Sequence, residues 1–151
     1  MPTWAKVLLI VTVSVIGLVG VLIGVGAYVA YKYGPALQET GKKAMVEGYQ
    51  FARGVDNQAC LDEGVARHQR ADGLGALIKN GLFLHACLEK SRETPGFCDA
   101  VPGQGEVMKS IEWRMQQCQA HALTDSQCGQ LFTQVQEYCE RRTASQPKAP
   151  A

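Results

Sequence analysis

The stretch VLLIVTVSVIGLVGVLIGVGA, from Val7 to Ala27, holds 21 residues without a charge, and Thr12 and Ser14 are its only hydroxyls. At 1.5 Å of rise per residue a helix of that length spans roughly 31 Å, enough for a hydrocarbon core of about 30 Å. Trp4 and Lys6 precede it, and Tyr28, Tyr31, Lys32 and Tyr33 follow it. Amphipathic rings and long cationic side chains are what a membrane interface favours. The sequence therefore predicts one transmembrane helix over residues 7–30 behind a short cytoplasmic N-terminus, residues 1–6. Val25-Gly26-Ala27 and Tyr28-Val29-Ala30 each end in a small residue, as a signal-peptide cleavage site does. The apolar stretch is nevertheless longer than a signal core of roughly 7–15 residues, and Lys6 alone supplies a basic start, so an uncleaved anchor is expected. Gly20 and Gly24 form a GxxxG pair through which two anchors can approach closely, and this makes a homodimer an expected partner.

Working outward from the anchor, six cysteines follow it at positions 60, 87, 98, 118, 128 and 139. An even number in a short domain behind a membrane-targeting segment reads as three disulfides and an oxidising compartment. There is no CxxC pair, which disfavours a thioredoxin-type centre and a zinc ribbon alike. Cys118 and Cys128 carry the Cx9C spacing of helical hairpins but straddle a turn, and Cys98 lies among prolines, so that pattern is not reproduced. The CxxC-like opening of saposin-like domains is missing too. One count opposes the cysteines: Lys32, Lys42 and Lys43 follow the span while Lys6 alone precedes it, and the positive-inside rule would then place the domain in the cytoplasm. That bias amounts to two charges, and the cysteine reading is the one adopted: an inner-membrane, single-pass chain with its C-terminal domain in the periplasm or an equivalent oxidising lumen.

Beyond the span, Gly34-Pro35 predicts a break, with Pro35 opening a juxtamembrane amphipathic helix over residues 35–54. Its recurrent positions are Leu37, Gly41, Ala44, Met45, Gly48, Phe51 and Ala52, unusually small for a buried stripe. A cysteine-rich helical domain is expected over residues 56–142, opened by a cap at Asp56 or Asn57. Asp72-Gly73-Leu74-Gly75 marks a restart, followed by the stripe Leu74, Leu77, Ile78, Gly81, Leu84 and Leu88. Ser91–Gly105 carries two prolines and three glycines and reads as a loop. Val107, Ile111, Met115, Cys118 and Ala122 form the next stripe. Thr124-Asp125-Ser126-Gln127 reads as a capping box before a last helix bearing Cys128, Leu131, Phe132, Val135, Tyr138 and Cys139. Residues 143–151 are polar and proline-bearing, a disordered tail. No stretch alternates with a period of two. The expected fold is all-α: a single N-terminal transmembrane helix followed by a small disulfide-stapled helical bundle.

Cys118 and Cys128 lie symmetrically about Leu123, so a hairpin there pairs them. Cys87 with Cys98 is the expected local staple, and Cys60 with Cys139 the remaining long bond. The chemistry-bearing residues are sparse. His68, His85 and His121 are never three or four apart, so no helix offers a metal pair. His85 stands two from Cys87, which on a helix points elsewhere. There is no GxSxG, phosphate-binding glycine loop or HExxH. Neither catalysis nor a cofactor or metal is expected. After the anchor, 14 acidic residues face 13 of the 15 Lys and Arg, a balance that offers nothing to nucleic acid; Arg67-His68-Gln69-Arg70 reads as a solvated turn. Trp113 and the loop residues Phe97 and Val101 are the candidate partner contacts. The leading expectation is a non-catalytic interaction or structural module of the cell envelope with a protein partner; the alternative is a carrier of a lipid or other apolar ligand. A cavity lined by Leu77, Ile78, Leu84, Met115 and Phe132 would favour the carrier. A solid core with an exposed patch around Phe97 would favour the partner module.

Overall fold

The computed structural model describes residues 3–145, which form five α-helices: α1 (Thr3–Ala52), α2 (Asn57–Gln69), α3 (Gly73–Lys90), α4 (Val107–Ala120) and α5 (Cys128–Ser145). Among the described residues there is no strand; an isolated bridge joins Asp56 to Arg92. The chain divides by internal packing into Met1–Glu39 and Thr40–Ala151.

The first unit is apolar helix. Val11–Lys32, 22 residues of mean hydropathy 2.3, is long and apolar enough to cross a membrane, and none of it is buried within the protein. Ile16, Leu18, Val21, Leu22 and Ile23 stand more than half exposed, which in water would be unfavourable along the whole length. The expected break at Gly34-Pro35 does not occur: α1 runs through Pro35. An interior proline removes one intrahelical N–H donor and crowds the preceding turn, which can kink a helix without ending it. Gly34 adds no left-handed step, since positive φ among the described glycines is confined to Gly73 and Gly96.

The second unit is a helical bundle whose chain reversals follow local chemistry. Asp56 caps α2, its Oδ1 accepting from Ala59 N–H at 3.0 Å. Asn57, 1% exposed, then ties this corner to the far end of α3. Its Nδ2 donates to Ser91 Oγ at 2.8 Å and its Oδ1 accepts from Thr94 N–H at 3.1 Å, while the Asn57 and Arg92 amides donate to Arg92 O and Val55 O. Gly73, with φ of +79°, supplies the left-handed step from which α3 starts. Before α5 it is Asp125, not Thr124, that caps the turn, accepting from Gln127 N–H at 2.9 Å. The expected box fails because α5 begins at Cys128, which places Thr124 too early. The tail begins later than expected: α5 continues through Ser145, and residues 146–151 lie outside the described residues.

The core is solid. Phe83, Leu84, Leu88, Phe132 and Val135 are almost wholly enclosed, with Cys60, Cys87 and Cys128 among them. The small positions of α1 have a structural purpose. Ala44, Gly48 and Ala52 are buried, and a Cβ at position 48 would stand 2.4 Å from Phe83 O and 2.9 Å from Ala86 Cβ. Only glycine permits backbone-to-backbone approach of this kind.

Three disulfides staple the bundle: Cys60–Cys87, Cys98–Cys139 and Cys118–Cys128, with Cα separations of 5.8, 5.4 and 5.9 Å. The Cys118–Cys128 expectation stands. The expected Cys87–Cys98 and Cys60–Cys139 bonds are overturned, and the reason is geometric. α2 and α3 form an antiparallel hairpin about Ala71–Gly73, and Cys60 and Cys87 lie nearly symmetrically on its arms, as Cys118 and Cys128 do about Leu123. With Cys87 engaged, Cys98 reaches from the loop to α5 and pins that loop across the core.

Candidate functional site

The three candidate partner contacts turn inward. Phe97 meets Tyr138 edge-on, with ring centroids 6.2 Å apart. Trp113 meets Phe132 at 5.9 Å and 89°, and Val101 packs against the same core. Edge-to-face pairs at such distances are packing contacts. The loop is therefore a lid on the bundle, held down further by Gln136 Nε2 donating to Pro102 O at 3.1 Å and Ser110 Oγ donating to Gly103 O at 2.9 Å. Phe97, Val101 and Trp113 do not form an exposed patch.

Two other apolar surfaces face outward. The first is α4. Its only buried residue is Ser110, and Val107, Met108, Ile111 and Met115 are 61%, 78%, 41% and 56% exposed. Val107, Ile111 and Met115 of the expected stripe are thus turned to solvent, while Cys118 is half-buried against the core. α4 is held to α5 by Cys118–Cys128 at one end and along its inner side by Arg114, whose Nη1 donates to Thr133 Oγ1 at 3.1 Å. Its periodicity was legible in the sequence, but the side of the helix that α5 covers was not. Met108, three residues before Ile111 and seven before Met115, borders the same stripe and was missed in the sequence.

The second is a groove of about 550 Å³ bordered by Leu74, Leu77, Ile78 and Leu82 of α3, Leu131 of α5, His68, His85 and three glutamines. Leu74 and Ile78 are 65% and 53% exposed. No atom lies within 4 Å of where a Cβ would stand on Gly81, so the groove stays open there. Leu77 and Ile78 line it as the carrier reading required. Leu84 and Phe132 instead belong to the closed core, and Met115 lies on a different surface.

The titratable groups near the groove form a latch rather than a reactive set. His68, 4% exposed in its side chain, places Nε2 2.9 Å from Asp125 Oδ2 and so joins α2 to the turn before α5. Burial alone would raise the Asp125 carboxyl, but the hydrogen bonds from His68 and from the Gln127 amide outweigh it and hold it below its ordinary value. His121 stacks on Phe132 at 5.6 Å. All six cysteines are in disulfides, and among the described residues no three His, Cys, Asp or Glu are grouped as a metal site. A further ion pair joins α5 to α3: Arg141 Nη2 donates to Glu89 Oε1 at 2.5 Å. No family model, no curated protein and no solved structure matches this chain.

Proposed function

We propose that this chain is a membrane-anchored, non-catalytic module that docks another protein of the cell envelope through the outer face of α4. In this reading the N-terminal helix is an uncleaved signal anchor in the inner membrane, and the bundle stands in the periplasm or an equivalent oxidising lumen. Three disulfides and a solid core make a rigid platform, which lowers the ordering entropy lost on binding. The observation that carries the proposal is the exposure of Val107, Met108, Ile111 and Met115 on a single helix. A contiguous apolar face on a small bundle marks an interaction surface more often than it marks nothing. Two methionines suit it to an apolar helix of a partner, because unbranched thioether side chains re-pack readily. Pairing of two anchors through Gly20 and Gly24 belongs to the same reading, in which both glycines are open on their outer side.

A photo-crosslinking residue placed at Met108 or Met115 in the full chain in its native membrane tests the docking face. The expected result is a defined adduct with one other protein, lost in Ile111→Glu while the thermal midpoint holds within a few degrees. Adducts no different from those formed at Glu140, on an exposed part of α5, would sink the idea. The apolar groove supports a second reading, the carrier of a lipid or similar ligand. Ile78→Trp, which fills that groove, separates the two: it should leave crosslinking at Met108 intact, and it would abolish binding of an apolar dye only if the carrier reading is right.

A further inference from the structure

The edges of the groove between α3 and α5 indicate what kind of molecule it fits. Leu74, Leu77, Ile78 and Leu82 form its apolar wall on α3. From Leu74 to His85 that helix advances about 16 Å at 1.5 Å per residue, long enough for an extended acyl chain. Gly81 leaves a gap in the wall, since no atom lies within 4 Å of a Cβ placed there. On the other side, Gln127 just before α5 and Gln130 and Gln134 on it follow one another at spacings of three and four, so their amides share one face.

Among the described residues no lysine, arginine, aspartate or glutamate lines this groove. Asp125, on the turn before α5, is engaged by His68 Nε2 and by the Gln127 amide. The polar groups on the groove are three side-chain amides and two imidazoles. Among the described residues the side chains of Gln127, Gln130, Gln134 and His85 make no hydrogen bond, and Gln127, Gln134 and His85 are half-buried. An apolar wall with a few unsatisfied polar groups along one edge is the usual make-up of a small-molecule site. The volume of about 550 Å³ also lies within the range of roughly 300–1,000 Å³ that such sites occupy.

Charge decides the class of ligand. An anionic head, carboxylate or phosphodiester, would meet neither lysine nor arginine along this edge, and taking an unpaired ion out of water is costly. An ammonium head would meet no lining carboxylate. A glutamine amide both donates and accepts, which suits hydroxyl and ester groups. We propose that the groove binds an uncharged single-chain lipid of the monoacylglycerol class. Its tail packs on Leu74, Leu77, Ile78 and Leu82, and its hydroxyl- and ester-bearing head meets Gln127, Gln130 and Gln134. This ligand class rests on the carrier reading of the groove and leaves the α4 face untouched.

The test places the full chain in phosphatidylcholine nanodiscs at pH 8 with a monoacylglycerol carrying a diazirine in its tail, or with the fatty acid of the same tail. After irradiation, mass spectrometry maps the adducts. Saturable labelling of the α3 and α5 peptides by the monoacylglycerol is expected, about tenfold or more above the fatty acid at equal bilayer content, because the unpaired charge opposes entry. Gly81→Phe, which projects into open space, should abolish that labelling with an unchanged circular dichroism spectrum. Gln130→Leu with Gln134→Leu should bring the monoacylglycerol down to the level of the fatty acid. Equal labelling of the parent chain by both probes would overturn the uncharged class while the carrier reading survived. No labelling of α3 and α5 by either probe, or labelling unchanged in Gly81→Phe, would overturn both.

Discussion

At the scale of single residues, Gly48 and Pro35 show how little a residue type says without its surroundings. Gly48 looks like a helix weakener, yet it is the point where α1 meets the α3 backbone; a Cβ there would lie 2.4 Å from Phe83 O. Gly48→Ala is therefore expected to destabilise the bundle by about 1–3 kcal/mol, the usual range for overpacking, despite the better helix propensity of alanine. A urea midpoint equal to or above that of the parent chain would contradict the close approach. Pro35 looks like a helix start and is an interior position of α1. Gly48, expected in a buried stripe, is buried, whereas Pro35, expected to start a helix, does not; in both positions the neighbours decided the outcome.

At the scale of elements, α4 is the least embedded helix of the bundle. Its burial is confined to Ser110, and its attachment rests on α5, the Cys118–Cys128 bond and the loop before it. Cys118→Ala with Cys128→Ala removes a closure of ten residues, worth about 2–3 kcal/mol on the chain-entropy account. Hydrogen exchange should then speed up in α4 and the turn at Ala122–Asp125, while α2 and α3, joined by Cys60–Cys87, keep their protection. Uniform loss of protection across all helices would show that α4 is part of the cooperative core instead. The amphipathic stripe of α4 was visible from its spacing. Periodicity reports that a helix has an apolar side but carries no information on whether another element covers it.

At the scale of the whole molecule, the cysteine framework and the apolar helix point the same way: three disulfides suggest an oxidising compartment, and the N-terminal helix is long and apolar enough to cross a membrane. Non-reducing peptide mapping of the full chain from its native membrane should return Cys60–Cys87, Cys98–Cys139 and Cys118–Cys128, with no thiol alkylated before reduction. A Cys87–Cys98 peptide would overturn the pairing, and six alkylated thiols would overturn the compartment as well.

The all-helical class, the apolar span, the loop over residues 91–105 and the Cys118–Cys128 bond were determined by the sequence alone, because each rests on contacts or periods within a few turns of chain. The α2–α3 hairpin lay within the same reach. The symmetry of Cys60 and Cys87 about Gly73 is the signal that would have found their bond, but the nearness of Cys98 to Cys87 along the chain concealed it. Only the tertiary structure decided the Cys98–Cys139 closure, the inward turn of Phe97, Val101 and Trp113, and the meeting of the α3 leucines with Gln130 and Gln134 along one groove. Those outcomes depend on which helix faces meet, and that choice is made by the shapes of distant side chains packing together, which no local pattern encodes.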